Sequence, residues 1–265
     1  MEISARSPVT ATLTAAALLF LYAPLGIVVL FSFHETPALS FPFTGFSLRW
    51  YREVLASAEF LDSVRNSLIV GSTCALTTLL LGTMAAYGLT RVSPQLQRVA
   101  SLLFFLPITL PGLFLGLALL VFFARIGVPL SLTTVVIGHL VFVFPYFLLV
   151  AYAALERMDP AIEEAAADLG ASPWMVFWQV TMPQLWPVLV GATSLAFALS
   201  FDEFVITFFV IGPQSTLPMY IWSGLRRTID PSVNTVSSLL LLVTFLLFTL
   251  TFALTVLRRF RLDGV

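Results

Sequence analysis

Lysine is missing from this chain of 265 residues, so all 13 basic residues are arginines. A P-loop needs a lysine to bind the phosphates of a nucleotide, and a Schiff base needs a lysine amine. The chain is therefore not expected to hydrolyse ATP by the P-loop route or to form a Schiff base. Cysteine occurs once, as Cys74, which excludes an internal disulfide.

Charged residues are also scarce. They make up 10% of the chain, against roughly 25% in soluble domains, whereas 59% of the residues are hydrophobic. The mean hydropathy is +0.99. A net charge of −1 provides no basic footprint for nucleic acid. This composition excludes an ordinary soluble enzyme or a disordered chain and predicts a membrane protein.

Six apolar stretches are long enough to cross a bilayer as helices, which requires about 20 residues each. We predict an all-α membrane protein with six transmembrane helices in a single domain over residues 1–265. The spans are predicted at residues 10–33, 66–90, 99–123, 132–155, 184–211 and 235–257. Prolines 107 and 111 predict a broken or kinked third span. Seven arginines fall on the side of the termini and six on the other, which favours cytoplasmic termini.

The fifth predicted span contains two adjacent acidic residues, Asp202 and Glu203. If the helix ends near Ile211, Asp202 lies nine residues inside it, about 14 Å from its end. A carboxylate at that depth must be paired, solvated or protonated. One interpretation is a cation site or a water-lined path, with Phe201 and Phe204 as cation–π partners. The other is a structural anchor that pairs with a neighbouring helix.

His139 lies seven residues into the fourth predicted span. We expect its ring to donate a hydrogen bond to a nearby carbonyl group. Two histidines and one cysteine show no metal-ligand spacing, so no metal site is predicted. No Gly-x-Ser-x-Gly motif supports a serine hydrolase.

Residues 156–183 form the most structured connection in the sequence. Asp159-Pro160 is typical of a helix N-cap followed by an N1 proline. Gly170 stands where a left-handed C-terminal residue is expected. Ser172-Pro173 then predicts the start of a second short helix. Two capped helices are more order than a simple connector requires.

The sequence of this loop resembles the EAA loop in permease subunits of binding-protein-dependent ABC importers. That pattern is Glu-Ala-Ala, three residues, Gly, nine residues, and Ile-x-Leu-Pro. Here Glu164-Ala165-Ala166 is followed at the same spacing by Gly170 and by Val180-Thr181-Met182-Pro183. Val for Ile and Met for Leu are the only departures, and both are conservative.

The resemblance implies a type I ABC importer permease fold in a bacterial inner membrane, with several passes and both termini in the cytoplasm. It implies that the loop is cytoplasmic and contains a coupling helix that docks on an ABC ATPase dimer. The acidic residues of the loop could steer this docking onto basic residues of the ATPase. The residues expected to act in coupling are Glu163, Glu164, Ala165, Ala166, Asp168, Leu169, Gly170 and Ala171.

The same resemblance implies further partners. A second permease subunit would pair with this one as a heterodimer, and a periplasmic or lipid-anchored solute-binding protein would deliver substrate. ATP and Mg would be used by the ATPase, so no cofactor is expected in this chain. Membrane lipid surrounds the spans, and no nucleic acid is expected.

Residues 200–223 resemble the spermidine/putrescine branch of these permeases, on Ser200-Phe201-Asp202-Glu203-Phe204, Gly212-Pro213, Leu217-Pro218 and Ile221-Trp222-Ser223. This implies import of polyamines or a related small cation. The alternatives are a permease for another small solute and an autonomous channel or secondary transporter. Many secondary transporters contain inverted repeats, and no convincing halves are found here.

Overall fold

The computed structural model is helical over almost all of the residues it describes. These residues are 8–37, 43, 45–227 and 231–262. Their side chains are described as well, except at residues 8, 227, 247, 248 and 250–262. Twelve α-helices are found in this part of the chain. In order they are α1 (Pro8–Ser32), α2 (Arg49–Ala56), α3 (Ala58–Leu89), α4 (Pro94–Phe105), α5 (Gly112–Arg125), α6 (Leu132–Glu156), α7 (Pro160–Asp168), α8 (Pro173–Val176), α9 (Met182–Phe201), α10 (Val205–Val210), α11 (Leu217–Arg227) and α12 (Pro231–Leu262).

The contacts divide the chain into two compact units, Met1–Leu61 with Ile221–Val265 and Asp62–Tyr220. In the first unit, α12 packs against α1 and α2. The indole N–H of Trp50 donates to the carbonyl of His34 at 2.7 Å, which anchors α2 to the end of α1. Trp50 and Val54 are buried here.

Four helical segments among the described residues are long and apolar enough to cross a membrane, and a fifth is added if a bent pair counts as one span. The four are Val9–Ser32, Ala58–Leu89, Leu132–Glu156 and Pro173–Phe201. The predicted sixth span falls within α12, of which Pro231–Leu246 forms a shorter apolar helix. The all-helical membrane class is confirmed, whereas the count of six spans and the single domain stay predictions.

The third predicted span, at residues 99–123, is not one straight helix. α4 and α5 are separated by a 3₁₀ turn at Leu106–Thr109 and meet at an angle of 105°. Pro107 and Pro111 each lack a backbone N–H, which prevents the α-helical hydrogen bonds from continuing through the turn. The break that the prolines predict is therefore present, and its size exceeds an ordinary kink.

In the second unit, α10 packs against both α5 and α6. Two glycines make this close approach possible. A Cβ at Gly116 would lie 2.8 Å from the ring of Phe209, and one at Gly138 would lie 2.9 Å from the side chain of Ile206. Ile206 and Val210 of α10 are fully buried in this core.

Candidate coupling loop and acidic helix break

The loop between α6 and α9 forms the helix that its sequence predicts. The Asp159 side chain accepts a hydrogen bond from the backbone N–H of Ala161 at 3.0 Å, and Pro160 is the first helical residue of α7. The helix ends at a left-handed Gly170, with φ of +88°. The N–H of Ala171 reaches the carbonyl of Ala166 at 3.1 Å, which is the hydrogen bond of a Schellman cap.

An apolar strip lies open along this loop. Leu169 is 90% exposed and Trp174 is 71% exposed. Ile162 of α7 is also exposed, and so are Met175 and Trp178 on the following turn. Soluble surfaces rarely leave so many large apolar groups together unless a partner covers them. This strip is therefore a candidate docking surface.

The three acidic residues of α7 are not equivalent. Glu164 and Asp168 are exposed, as expected for residues that steer a partner. Glu163 instead turns inwards, where one carboxylate oxygen pairs with Arg91 at 2.6 Å and the other accepts from the Thr181 hydroxyl at 2.5 Å. The expected role of Glu163 in coupling stays a prediction, and in this placement its carboxylate contacts Arg91 and Thr181. The remaining predicted coupling residues, from Ala165 to Ala171, line the exposed helix and its cap.

Thr181 lies in a π-helical turn, Phe177–Thr181, between α8 and α9. Pro183 follows closely, and its missing N–H prevents regular α-helical bonding at this point. The N–H of Met182 donates five residues back, to the carbonyl of Phe177, which is the hydrogen bond of a π-helical turn. The contacts of Glu163 with Arg91 and Thr181 were not predicted, because no local pattern relates Arg91 to a helix 72 positions later.

The fifth predicted span is also interrupted, at the acidic pair. α9 ends at Phe201 and α10 begins at Val205, so Asp202 lies at a helix end rather than nine residues inside a helix. The Glu203 carboxylate accepts from the N–H of Ile206 at 2.8 Å, which satisfies one of the free N–H groups at the start of α10. Asp202 is exposed, whereas Glu203 is half-buried. The two carboxylates therefore have different surroundings.

The two predicted aromatic partners lie on opposite sides of this break. Phe201 stacks on Phe197, with ring centroids 5.5 Å apart, and Phe204 contacts Phe208 at 5.9 Å. Phe197 also borders a groove of about 350 Å³ between α3 and α9. Three residues with hydroxyl groups are among its lining residues, Ser72, Thr193 and Ser194, and the hydroxyls of Thr193 and Ser194 donate to carbonyl groups of α9 itself. Polar groups, an aromatic ring and Asp202 thus follow one another along α9.

His139 connects the two sides of the break. Its Nδ1 lies 2.8 Å from the hydroxyl of Ser200 in α9, and its Nε2 lies 2.8 Å from the hydroxyl of Thr207 in α10. The Thr207 proton is already donated to the carbonyl of Glu203, so Nε2 donates to Thr207 and Nδ1 accepts from Ser200. All three side chains are buried. The expected carbonyl partner of His139 is thus wrong, since both partners are hydroxyl groups.

Residues 78–262 match the protein family described as "Binding-protein-dependent transport system inner membrane component". The chain belongs to this family. It is 34% identical over 245 residues to the putrescine transport system permease protein PotI of Escherichia coli K12, covering 89% of this chain and 86% of that protein. It is 28% identical over 229 residues to the spermidine/putrescine transport system permease protein PotC of the same strain, covering 86% of each chain.

The fold of the permease agrees with a solved transporter structure. A chain of a bacterial ABC transporter involved in alginate import superimposes with a TM-score of 0.72 at 16% identity, covering 96% of this chain and 99% of that chain. At this identity the likeness concerns the fold alone. The permease therefore has the type I ABC importer fold and is a multi-pass inner-membrane protein, as the EAA resemblance implied.

Proposed function

We propose that this permease imports putrescine, spermidine or a related small cation into the cytoplasm. The observation that carries the proposal is the 34% identity to a putrescine permease along 89% of the chain. An exposed carboxylate, Asp202, at a helix break inside an apolar segment suits a cationic solute. The transport step requires energy from another protein, and ATP with Mg would be used there rather than in this chain.

The loop from residue 156 to residue 183 is proposed to receive an ABC ATPase on the cytoplasmic face. The apolar strip of Ile162, Leu169 and Trp174 offers contact area, and Glu164 and Asp168 add negative charge beside it. Charge of one sign at the rim of an interface accelerates and orients association with a partner of opposite charge. With this loop in the cytoplasm, both termini lie in the cytoplasm as well.

The complete importer is proposed to contain an ATPase dimer, a second permease chain and a solute-binding protein. The second permease is expected to differ from this one, because a heterodimer can place unlike groups on the two sides of the path. The solute-binding protein would deliver the polyamine from the periplasm. None of these partners is nucleic acid.

Within this permease, Asp202 and Phe201 are proposed to contact the solute. Both follow the hydroxyl-lined groove along α9, where Thr193, Phe197 and Phe201 recur every four residues on one helix face. The eight steps from Thr193 to Phe201 cover about 12 Å of helix. Glu203 is proposed to act mainly as the cap of α10, and Phe204 supports the break through Phe208.

The test is uptake of putrescine by the assembled importer in liposomes, compared between Asp202→Asn and Glu203→Gln. Asp202→Asn keeps the shape and removes the charge, so we expect impaired uptake with an unchanged yield of complex. Glu203→Gln weakens the cap of α10, so we expect lower thermal stability. Normal uptake in Asp202→Asn would remove this carboxylate from the path.

The same preparation separates the alternatives. If the wild-type complex hydrolyses ATP faster with another solute bound to its binding protein and ignores putrescine, the permease serves that solute instead. If this chain alone conducts solute through liposomes without ATP, it is an autonomous channel or secondary transporter, and the importer proposal fails.

A further inference from the structure

The carboxylate of Glu163 joins α7 to two other segments of the permease, which lie 72 and 18 positions away in the sequence. Its Oε2 pairs with the Arg91 guanidinium just beyond the end of α3, at 2.6 Å. Its Oε1 accepts from the Thr181 hydroxyl in the π-helical turn before α9, at 2.5 Å. Glu163 itself belongs to α7. One side chain thus connects the coupling loop to the ends of two membrane helices.

Both ends of the network are held in place by other contacts. The Arg91 guanidinium lies 3.5 Å from the ring centroid of Tyr87, and Tyr87 in turn contacts Phe177 at the start of the π-helical turn. Thr181 is fully buried. The Arg91 and Glu163 side chains are only 36% and 26% exposed, so water screens this pair less than a fully exposed one.

The two helices whose ends contact Glu163, α3 and α9, also line the same groove further along their length. Ser72 and Leu76 of α3 face Thr193 and Phe197 of α9 across the hydroxyl-lined groove. A movement of α7 that shifts Glu163 therefore acts on the ends of both helices that border this groove. Rigid helices carry such a displacement along their length better than a loop does.

We propose that Glu163 is a positioning residue that transmits movement of α7 to α3 and α9 through Arg91 and Thr181, rather than a residue that docks on a partner. The inference rests on the proposed role of the loop in ATPase coupling. It assigns different tasks to adjacent carboxylates: Glu164 faces outwards to the partner, and Glu163 faces inwards to the permease.

The experiment measures uptake per ATP hydrolysed in the assembled importer for Glu163→Gln, Arg91→Gln and Thr181→Val. Thr181→Val removes the hydroxyl at nearly constant shape. We expect each change to lower this ratio by about fivefold or more, the range of ordinary coupling between sites. The matched control is Glu53→Gln, which breaks an ion pair of the same 2.6 Å length between Arg49 and Glu53 in the other unit. This control should retain the wild-type ratio.

A charge exchange distinguishes an internal pair from an interface. The double variant Arg91→Glu with Glu163→Arg restores opposite charges within the permease, so it should regain part of the ratio lost in the single variants. If Glu163→Gln reduces the amount of co-purified ATPase while Arg91→Gln and Thr181→Val behave as wild type, Glu163 is a docking residue and the inference is overturned. Wild-type ratios in all three variants overturn it as well.

Hydrogen exchange of the same purified complexes provides a readout that needs no transported solute. Losing the Glu163 contacts should speed exchange at the amides of α7 and of residues 177–181, and Glu53→Gln should leave both regions unchanged. Failure of the polyamine proposal would appear as absent putrescine uptake in the wild type, with this exchange pattern intact. Unchanged exchange in Glu163→Gln would contradict the inference independently of the substrate.

Discussion

Replacing His139 by leucine should weaken the connection between α9 and α10 at the acidic break, the interruption at residues 202–204. The ring is the only described side chain that bonds both Ser200 of α9 and Thr207 of α10, each at 2.8 Å. Leucine has a similar volume and no polar atom, so the change removes both hydrogen bonds without opening a large cavity. The break would then be held by the Glu203 cap and by packing alone.

The loss in the free energy of unfolding depends on which hydroxyl groups lose a hydrogen-bond partner. Thr207 still donates to the carbonyl of Glu203 at 2.8 Å, and Ser200 keeps its hydrogen bond with the Cys74 thiol, so each hydroxyl loses one of its two partners. Hydrogen bonds between membrane helices average about 0.6 kcal/mol each. Since two of them are lost, we expect a loss of roughly 1 kcal/mol in the free energy of unfolding.

Reversible unfolding of the purified permease in mixed detergent measures this loss, and uptake by the assembled importer measures its functional effect. Ser200→Ala and Thr207→Val each remove one partner of the ring, and in the His139→Leu background either change should add little because the bond is already lost. The reasoning is refuted if His139→Leu changes stability by less than about 0.5 kcal/mol, or if the second substitutions add their full cost.

Two further predictions concern the coupling loop. Gly170→Asn should lower ATP-coupled uptake less than Gly170→Asp does. A Cβ at this position meets no atom within 4 Å, and asparagine tolerates the left-handed φ of +88° at small cost, whereas aspartate adds a charge. Equal uptake in the two variants would exclude a charge effect. Glu164→Lys should reduce the amount of co-purified ATPase more than Glu164→Gln does, since reversal adds repulsion at an exposed docking position, and equal yields would contradict electrostatic steering there.

The helix α7 was predictable because its ends are determined by residues close to them in the sequence. Asp159-Pro160 and Gly170 act on the backbone within a few residues of themselves, and the structure has the N-terminal cap and the left-handed turn at those positions. The prolines at 107 and 111 likewise predicted a break, although the angle of 105° depends on how α4 and α5 pack and has no local code.

The acidic break could not be located from its sequence. No proline or glycine lies between Phe201 and Val205, so the apolar residues around the acidic pair favoured a continuous helix. The interruption depends on tertiary contacts, namely the His139 bonds and the close packing of α10 against Gly116 and Gly138. The direction of the Glu163 side chain also depends on tertiary contacts, because its partners Arg91 and Thr181 lie 72 and 18 positions away in the sequence.

The interruption after Phe201 has an electrostatic consequence that does not depend on any side-chain charge. An α-helix carries roughly half a negative charge at its C-terminal end, where its last carbonyl groups lack helical partners. α9 ends at Phe201, beside Asp202, and the opposing positive end of α10 is capped by the Glu203 carboxylate, so the end of α9 leaves negative potential at the break. In a surrounding of low permittivity this field persists over a longer distance than it would in water. A dication that reaches the end of α9 is thus attracted by fixed dipoles as well as by a titratable group, and part of that attraction is independent of pH.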